Sequence, residues 1–235
     1  MITPEEKKEF LGVRNVAGIA NGFNFNSKLL PKDLDACVKA LPDSIKRTLQ
    51  SHPGKLIVAG GFIRSIVRGE PINDIDIFGI DYPGMGSLAI SLDTLNSYFY
   101  TPNAKSIKVI KDNGPHPATE MKVQFITKYE ETSAVATLQN FDFTHSMAAF
   151  WFENDQWTSV CHNNFYNDVC NSLINFNPEY VGDRVILMKR FLKFSTKGWQ
   201  YCIKDFAAIL AEVSKEPIDP VAAYKLLAST NYGAY

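Results

Sequence analysis

The chain has 235 residues, of which 46% are hydrophobic and 21% are charged, a balance typical of a folded globular protein. Its formal net charge of −1 excludes the basic surface that most nucleic-acid-binding proteins carry, so any such contact must be local. The four cysteines form no CxxC pair, the first residues hold no apolar signal region, and no apolar run reaches the ~18 residues needed to span a bilayer. We therefore expect a cytoplasmic protein that is not embedded in a membrane.

The first part of the chain predicts helices followed by short strands. Residues 30–49 carry an amphipathic pattern that Pro42 interrupts, which predicts two helices. A buried strand over 55–59 runs into Gly60-Gly61 and then into a short helix. Residues 72–80 alternate apolar and acidic side chains, which predicts a strand with one buried face. The elements expected next are a helix over 88–98 and strands over 107–110, 121–126 and 146–152, the last extended as a hairpin over 157–160.

The pattern becomes helical after residue 177. Apolar residues recur at helical spacing from residue 179, and further helices are predicted over 200–213 and 220–228, the last beginning at Pro220. We therefore predict a mixed α/β head domain over 1–176, which includes the N-terminal helices, and a helical region over 177–235.

The acidic strand carries the first candidate site. Residues two apart on a strand point to the same face about 6.5 Å apart, so Asp74 and Asp76 project together while Ile75 and Ile77 face the core. Adjacent carboxylates repel, and a cation between them relieves the repulsion; oxygen ligands of this kind suit magnesium. A solvated edge strand explains the same string equally well, because Asp-x-Asp is a frequent pattern.

The glycine turn upstream is the second candidate site. Glycines let backbone N–H groups approach a phosphate closely, and the N-terminus of the following helix adds a favourable dipole. Arg64 lies one turn into that helix and can reach the same anion. Gly60-Gly61 could instead be only a tight turn, but beside a carboxylate strand it predicts a triphosphate site.

The segment AGGFIRSIVRGEPINDIDIFG (59–79) resembles the head signature of tRNA nucleotidyltransferases, which include the CCA-adding enzymes, and of bacterial poly(A) polymerases, in the polymerase β superfamily. Ser65 stands where that family has the Asp of an Arg-Asp pair. The resemblance continues at Asp142-Phe143-Thr144 and at 183–191, and it spans about residues 55–230. It implies an α+β fold with a mixed sheet, flanking helices and a neck-like C-terminal helical region.

The resemblance also implies a metal-dependent transfer of NMP from an NTP to an acceptor hydroxyl. Asp74 and Asp76 would hold two magnesium ions, and Asp142 would join them as a catalytic residue. The nucleotide would be held by the residues that match or replace the family's nucleotide contacts: Gly60, Gly61, Arg64, Asp142, Ser146 and Arg184.

Two departures from the family pattern bear on activity. Gln124 occupies the position of a third carboxylate, and an amide brings neither negative charge nor a base. Tyr180 and Val181 replace an acidic pair that reads the base, so we expect a loose choice of nucleotide. The combination of Gln124 with the following FDFTHS block (141–146) also resembles nucleotidyltransferase-like proteins of large viruses and phages, which would place the protein in the host cytoplasm.

A run of basic residues in the helical region suggests an acceptor. The chain from Arg184 to Lys204 holds six basic residues and no acidic one, and such a stripe can bind the phosphates of RNA. We expect contacts to a tRNA or other RNA 3′ end from Lys189, Arg190, Lys193 and Lys197. A solvated helix face would look the same.

Three functions therefore stay open at this point: transfer of NMP to RNA, transfer to a protein or small molecule, and nucleotide binding without catalysis. The basic stripe favours the first, and Gln124 favours the last. His145, close to Asp142, is interpreted as a structural residue.

Overall fold

A computed structural model describes residues 24–95, 97–101, 104–111, 119–215, 217, 219–221 and 224. Its helices are α1 (Pro31–Ala40), α2 (Asp43–Ser51), α3 (Gly61–Arg68), α4 (Met85–Leu92), α5 (Ala134–Gln139), α6 (Phe165–Cys170), α7 (Arg184–Thr196) and α8 (Ile203–Val213), and a 3-10 turn spans Thr144–Ser146. Its strands are β1 (Leu56–Ala59), β2 (Asp74–Ile80), β3 (Phe99–Thr101), β4 (Ala104–Lys111), β5 (Thr119–Glu131), β6 (Ala148–Glu153) and β7 (Gln156–Cys161). No helix in these ranges is both long and apolar enough to cross a bilayer.

The strands form one mixed sheet in the order β3-β4-β5-β2-β1-β6-β7. β2 pairs parallel with β5 and antiparallel with β1, while the other pairings are antiparallel. Helices flank this sheet, so the predicted α+β fold with a mixed sheet is confirmed. The acidic strand β2 lies in the middle of the sheet, and the edge-strand interpretation is therefore wrong.

The core explains why the carboxylates of β2 share one face. Ile75 and Ile77 are fully buried in the main hydrophobic cluster, and each stabilises the fold by roughly 1.5–3 kcal/mol. Because side chains alternate along a strand, burying these two turns Asp74 and Asp76 to the opposite face. The predicted geometry of this strand is thus the observed one.

A second hydrophobic cluster joins the helical region to the sheet domain. Phe143 and Ile174, from the sheet side of residue 177, pack with Leu187 and Phe194 of α7 and with Ile209 of α8. The proposed division at residue 177 stays a prediction, but the two parts share this core.

Several elements differ from the predictions. The helix expected over 88–98 is wrong in its second half, because the Asp93 carboxylate accepts hydrogen bonds from the Ser97 and Tyr98 backbone N–H groups at 2.9 and 2.7 Å. The chain turns there and begins β3, which had not been predicted. Two further short helices, α5 and α6, were also missed. The helix predicted over 220–228 lies largely outside the described residues.

Candidate active site

A cavity of about 410 Å³ opens over the carboxylate face of β2, between the start of α3 and one side of α7. Most of the residues predicted for the catalytic and nucleotide site line it, together with Arg190 and Lys193, which had been predicted to bind RNA. The lining includes Gly60, Gly61, Arg64, Asp74, Asp76, Gln124, Asp142, Ser146, Arg190 and Lys193. Residues as far apart in the chain as Gly60 and Lys193 therefore meet around one space.

The floor of the cavity carries the carboxylate pair. Asp74 and Asp76 are partly exposed toward the cavity. Burial and the negative charge of Asp74 raise the pKa of Asp76 to about 7. Gln124 lies beside Asp76 on the parallel neighbour β5 and donates a hydrogen bond from Nε2 to Oδ2 of Asp74 at 3.1 Å. The amide therefore orients one carboxylate.

The donor set at this floor fits a magnesium ion. A positive charge between these two carboxylates would relieve the repulsion that makes Asp76 retain its proton near neutral pH. Mg²⁺ often binds only one or two carboxylates, and water and phosphate complete its coordination shell. No group of three or more His, Cys, Asp and Glu side chains converges on a metal position within the described ranges. The remaining ligands would thus have to come from Gln124, water or substrate, and the binding of two ions stays a prediction.

The glycine turn needs its first glycine. Gly60 has φ +88°, a conformation that L side chains rarely adopt, and a Cβ on it would meet the Phe141 ring at 3.1 Å. Gly60 caps α3, and no side chain caps this helix terminus. The backbone N–H groups of the first turn are therefore available at the cavity wall, where the helix dipole favours an anion.

Arg64 brings a positive charge to the same wall. Its Nη1 donates a hydrogen bond to Oγ of Ser146 at 3.0 Å, and its guanidinium carbon lies 4.7 Å from the centre of the Phe194 ring. Its Nε atom is buried and has no hydrogen-bond partner among the described residues. Burial lowers the pKa of Arg64 to about 10. This guanidinium is held in place by neutral groups, so its charge remains available to an anion.

Asp142 and Arg190 form an ion pair at another side of the cavity. Nη1 of Arg190 donates to Oδ2 of Asp142 at 3.0 Å, and the aspartate side chain is 4% exposed. The carboxylate raises the pKa of Arg190 above its usual value. Asp142 was predicted as a catalytic and nucleotide-binding residue, and it does line the cavity, but one of its oxygens is taken by this arginine.

The face of α7 divides the predicted basic stripe. Asp183, Ile186, Arg190 and Lys193 line the cavity, at the spacing that places residues on one side of a helix. Arg184, which was predicted to bind nucleotide, does not line it; its Nε lies 3.6 Å from Oε1 of Glu212 in α8. Lys189 and Lys197 are also absent from the lining. The cavity therefore takes up only part of the stripe, and RNA binding by its four predicted residues stays a prediction.

The chain has the polymerase β-like nucleotidyltransferase fold of the CCA-adding enzymes. The structure is similar to the Thermotoga maritima CCA-adding enzyme complexed with tRNA, with a TM-score of 0.55 and 14% identity over 83% of this chain and 53% of that chain. It is also similar to a tRNA nucleotidyltransferase complexed with a primer tRNA and an incoming ATP analogue, with a TM-score of 0.50 and 18% identity over 68% and 46% of the two chains. The chain spans about half the length of these structures.

The chain belongs to the Gabija anti-defense 2 family, whose model matches residues 29–171. It is 27% identical over 154 residues to "Gabija anti-defense 2" of Bacillus phage SPbetaL7, which covers 66% of this chain and 36% of the phage protein. The chain thus spans about a third of that relative's length. The predicted resemblances to tRNA nucleotidyltransferases and to phage proteins are both confirmed.

Proposed function

We propose that this protein binds a magnesium–NTP complex in the cavity and transfers NMP to an acceptor hydroxyl. The observation that carries the proposal is that one cavity contains a paired carboxylate floor and, on its wall, a buried arginine beside an uncapped helix N-terminus. The first feature suits a divalent cation and the second suits phosphate, and a metal-bound triphosphate presents both charges together.

The residues have distinct tasks in this transfer. Asp74 and Asp76 would hold magnesium, which when bound offsets the charge on the phosphates and polarises them. The backbone at Gly60-Gly61 and the Arg64 guanidinium would hold the triphosphate. The acceptor hydroxyl gives its proton to solvent and its oxygen bonds to the α-phosphorus, while the bond from that phosphorus to the bridging oxygen breaks and pyrophosphate leaves.

Gln124 limits what the floor can contribute. An amide can offer an oxygen to a cation but cannot take a proton, so it cannot act as the base for the acceptor hydroxyl. Its hydrogen bond to Asp74 gives it an orienting task instead. Since Arg184 pairs with Glu212 outside the cavity lining, we also expect weak discrimination among nucleobases.

The acceptor that the sequence suggests is an RNA 3′ end, and the similar enzymes with tRNA in their structures support it. A protein acceptor is the second candidate. It is favoured by the division of the basic stripe, because Arg184 and Arg190 are held in ion pairs and Lys193 faces the cavity. The anti-defense description of the family also favours a protein target over tRNA.

The test is transfer of label from α-labelled NTPs in the presence of magnesium, total RNA and total protein. Label in RNA supports the first acceptor, and label in protein supports the second. Both signals should disappear in Asp74→Asn and Asp76→Asn but persist in Asp35→Asn, whose carboxylate forms a surface ion pair with Lys39. Magnesium-dependent NTP binding without transfer would reduce the protein to a nucleotide-binding module, and the absence of such binding would overturn the proposal.

A further inference from the structure

A buried histidine lies directly behind the anion wall of the cavity. His145 is fully buried, and the centre of its ring is 5.4, 4.4 and 4.5 Å from the ring centres of Phe143, Phe194 and Trp199. Its Nδ1 is 3.1 Å from Oγ of Ser146, the hydroxyl that accepts a hydrogen bond from Arg64. Three side chains thus form a chain of contacts from an aromatic pocket to the cavity.

The hydrogen-bond chain assigns the proton positions. The Ser146 oxygen receives an N–H from Arg64, and its own proton has Nδ1 of His145 as an acceptor in reach. Nε2 lies buried among aromatic rings and has no hydrogen-bond partner within the part of the chain that the structure describes. An N–H is better tolerated there than a lone pair, because ring faces are electron-rich. The neutral tautomer with hydrogen on Nε2 satisfies both ends.

The surroundings of the ring keep it neutral. Burial, followed by the positive charge of Arg64, lowers the pKa of His145 well below its usual value. Arg68 and Arg190 act in the same direction. A charged imidazolium would carry hydrogen on both nitrogens and could not accept the Ser146 proton at Nδ1.

We propose that His145 is a positioning residue for the Arg64 guanidinium, and that it acts by fixing the hydroxyl of Ser146. With its proton directed to His145, Ser146 presents a lone pair to Nη1 of Arg64, and the Phe194 ring supports the guanidinium from the side. The arginine is thereby held by direct contacts with neutral groups, while the carboxylates of Glu70 and Asp142 act on it only through their charge. This inference rests on the proposed function, because the anion concerned is the triphosphate of that site.

Two substitutions at His145 separate positioning from packing. His145→Phe keeps a ring in the aromatic pocket and removes a buried unpaired nitrogen, but it loses the acceptor at Nδ1. His145→Asn keeps an oxygen close to the Nδ1 position but loses the ring. The first should retain or gain stability and lose anion affinity, whereas the second should lose stability and retain more affinity. If His145 only packs, each substitution should lower anion affinity and stability together.

The experiment is calorimetric titration of the full chain with inorganic tripolyphosphate and magnesium, beside thermal unfolding of each variant. We expect His145→Phe and Ser146→Ala each to weaken tripolyphosphate binding about tenfold, which is the usual effect of losing a hydrogen bond to a charged group. The double variant should bind tripolyphosphate only slightly more weakly than either single variant, because both substitutions break the same chain of contacts. His162→Phe is the matched control, because His162 is also buried but its Nδ1 accepts a hydrogen bond from the Asn164 backbone N–H at 3.0 Å instead of contacting Ser146.

The outcomes distinguish this inference from the proposed function. Equal affinity of wild type and His145→Phe would overturn the positioning role alone. Equal losses in His145→Phe and His162→Phe would also overturn it, since the effect would then not be specific to this chain of contacts. Failure of the wild type to bind tripolyphosphate or ATP with magnesium would overturn the proposed function, and the inference with it.

Discussion

Arg190 holds Asp142 by a hydrogen-bonded ion pair of 3.0 Å across 48 residues of sequence, linking α7 to the segment before the 3-10 turn. The pair changes the tasks expected of both residues. Arg190 was predicted to bind RNA and Asp142 to bind nucleotide or metal, yet the structure joins them within the cavity wall. Their coupling can be measured directly.

We predict that Arg190→Met destabilises the protein by about 1–3 kcal/mol, because it leaves the buried Asp142 carboxylate without its partner. Asp142→Asn should cost less, and the double variant should be more stable than the sum of the single effects implies. Urea unfolding of the four proteins measures this. Strictly additive effects would show that the ion pair does not contribute to stability.

The raised pKa of Asp76 predicts a pH-dependent stability in the absence of metal. The unfolded carboxyl ionises near pH 3.8 and the folded one near 7, so stability is lost as pH rises between these values. Asp76→Asn removes that loss. Relative to the wild type, we expect its free energy of unfolding to be unchanged at pH 4 and higher by on the order of 2 kcal/mol at pH 8, a value that allows for solvent in the cavity. Urea denaturation in EDTA at pH 4 and at pH 8 tests this prediction, with Asp35→Asn as the control. A stability gain of the same size at both pH values would contradict it.

Gln124→Glu restores the carboxylate that the resemblance leads one to expect. The extra negative charge beside Asp74 and Asp76 should make the metal-free protein less stable at pH 8, since like charges in a partly buried site repel. Added magnesium should then raise its melting temperature more than it raises that of the wild type. Gln124→Ala serves as the comparison, and an equal magnesium shift in all three proteins would argue against a cation at this floor.

One lysine in the last turn of α7 and one directly after the helix offer a matched pair. Lys193 lines the cavity, and burial followed by the charge of Arg64 lowers its pKa, while Lys197 is exposed and outside the lining. We predict that Lys193→Gln weakens NTP binding at least fivefold and that Lys197→Gln leaves it within twofold, by calorimetry at fixed salt. An equal or larger loss in Lys197→Gln would contradict the assignment of Lys193 to the nucleotide site.

The sequence predicted what depends on short-range periodicity. Alternation along β2 placed Asp74 and Asp76 on one face, and the glycine turn before α3 was recognised from Gly60-Gly61. The contacts that shape the cavity wall were not predictable in the same way, because Arg64 and Ser146 are 82 residues apart and no local pattern reports such a meeting. The helices α5 and α6 were missed because six residues are too few to show a helical period.

The shared hydrophobic cluster around Phe143 makes the cavity a property of the whole fold. Phe194 packs against Phe143 and His145 and also supports the Arg64 guanidinium, so α7 forms part of the anion wall itself. The family model ends at residue 171, before this helix begins. A fragment cut at that point would retain all the strands of the sheet with both carboxylates, but it would lack one wall of its cavity. Ligand affinity should therefore be lost whenever α7 undocks, even while the sheet stays folded.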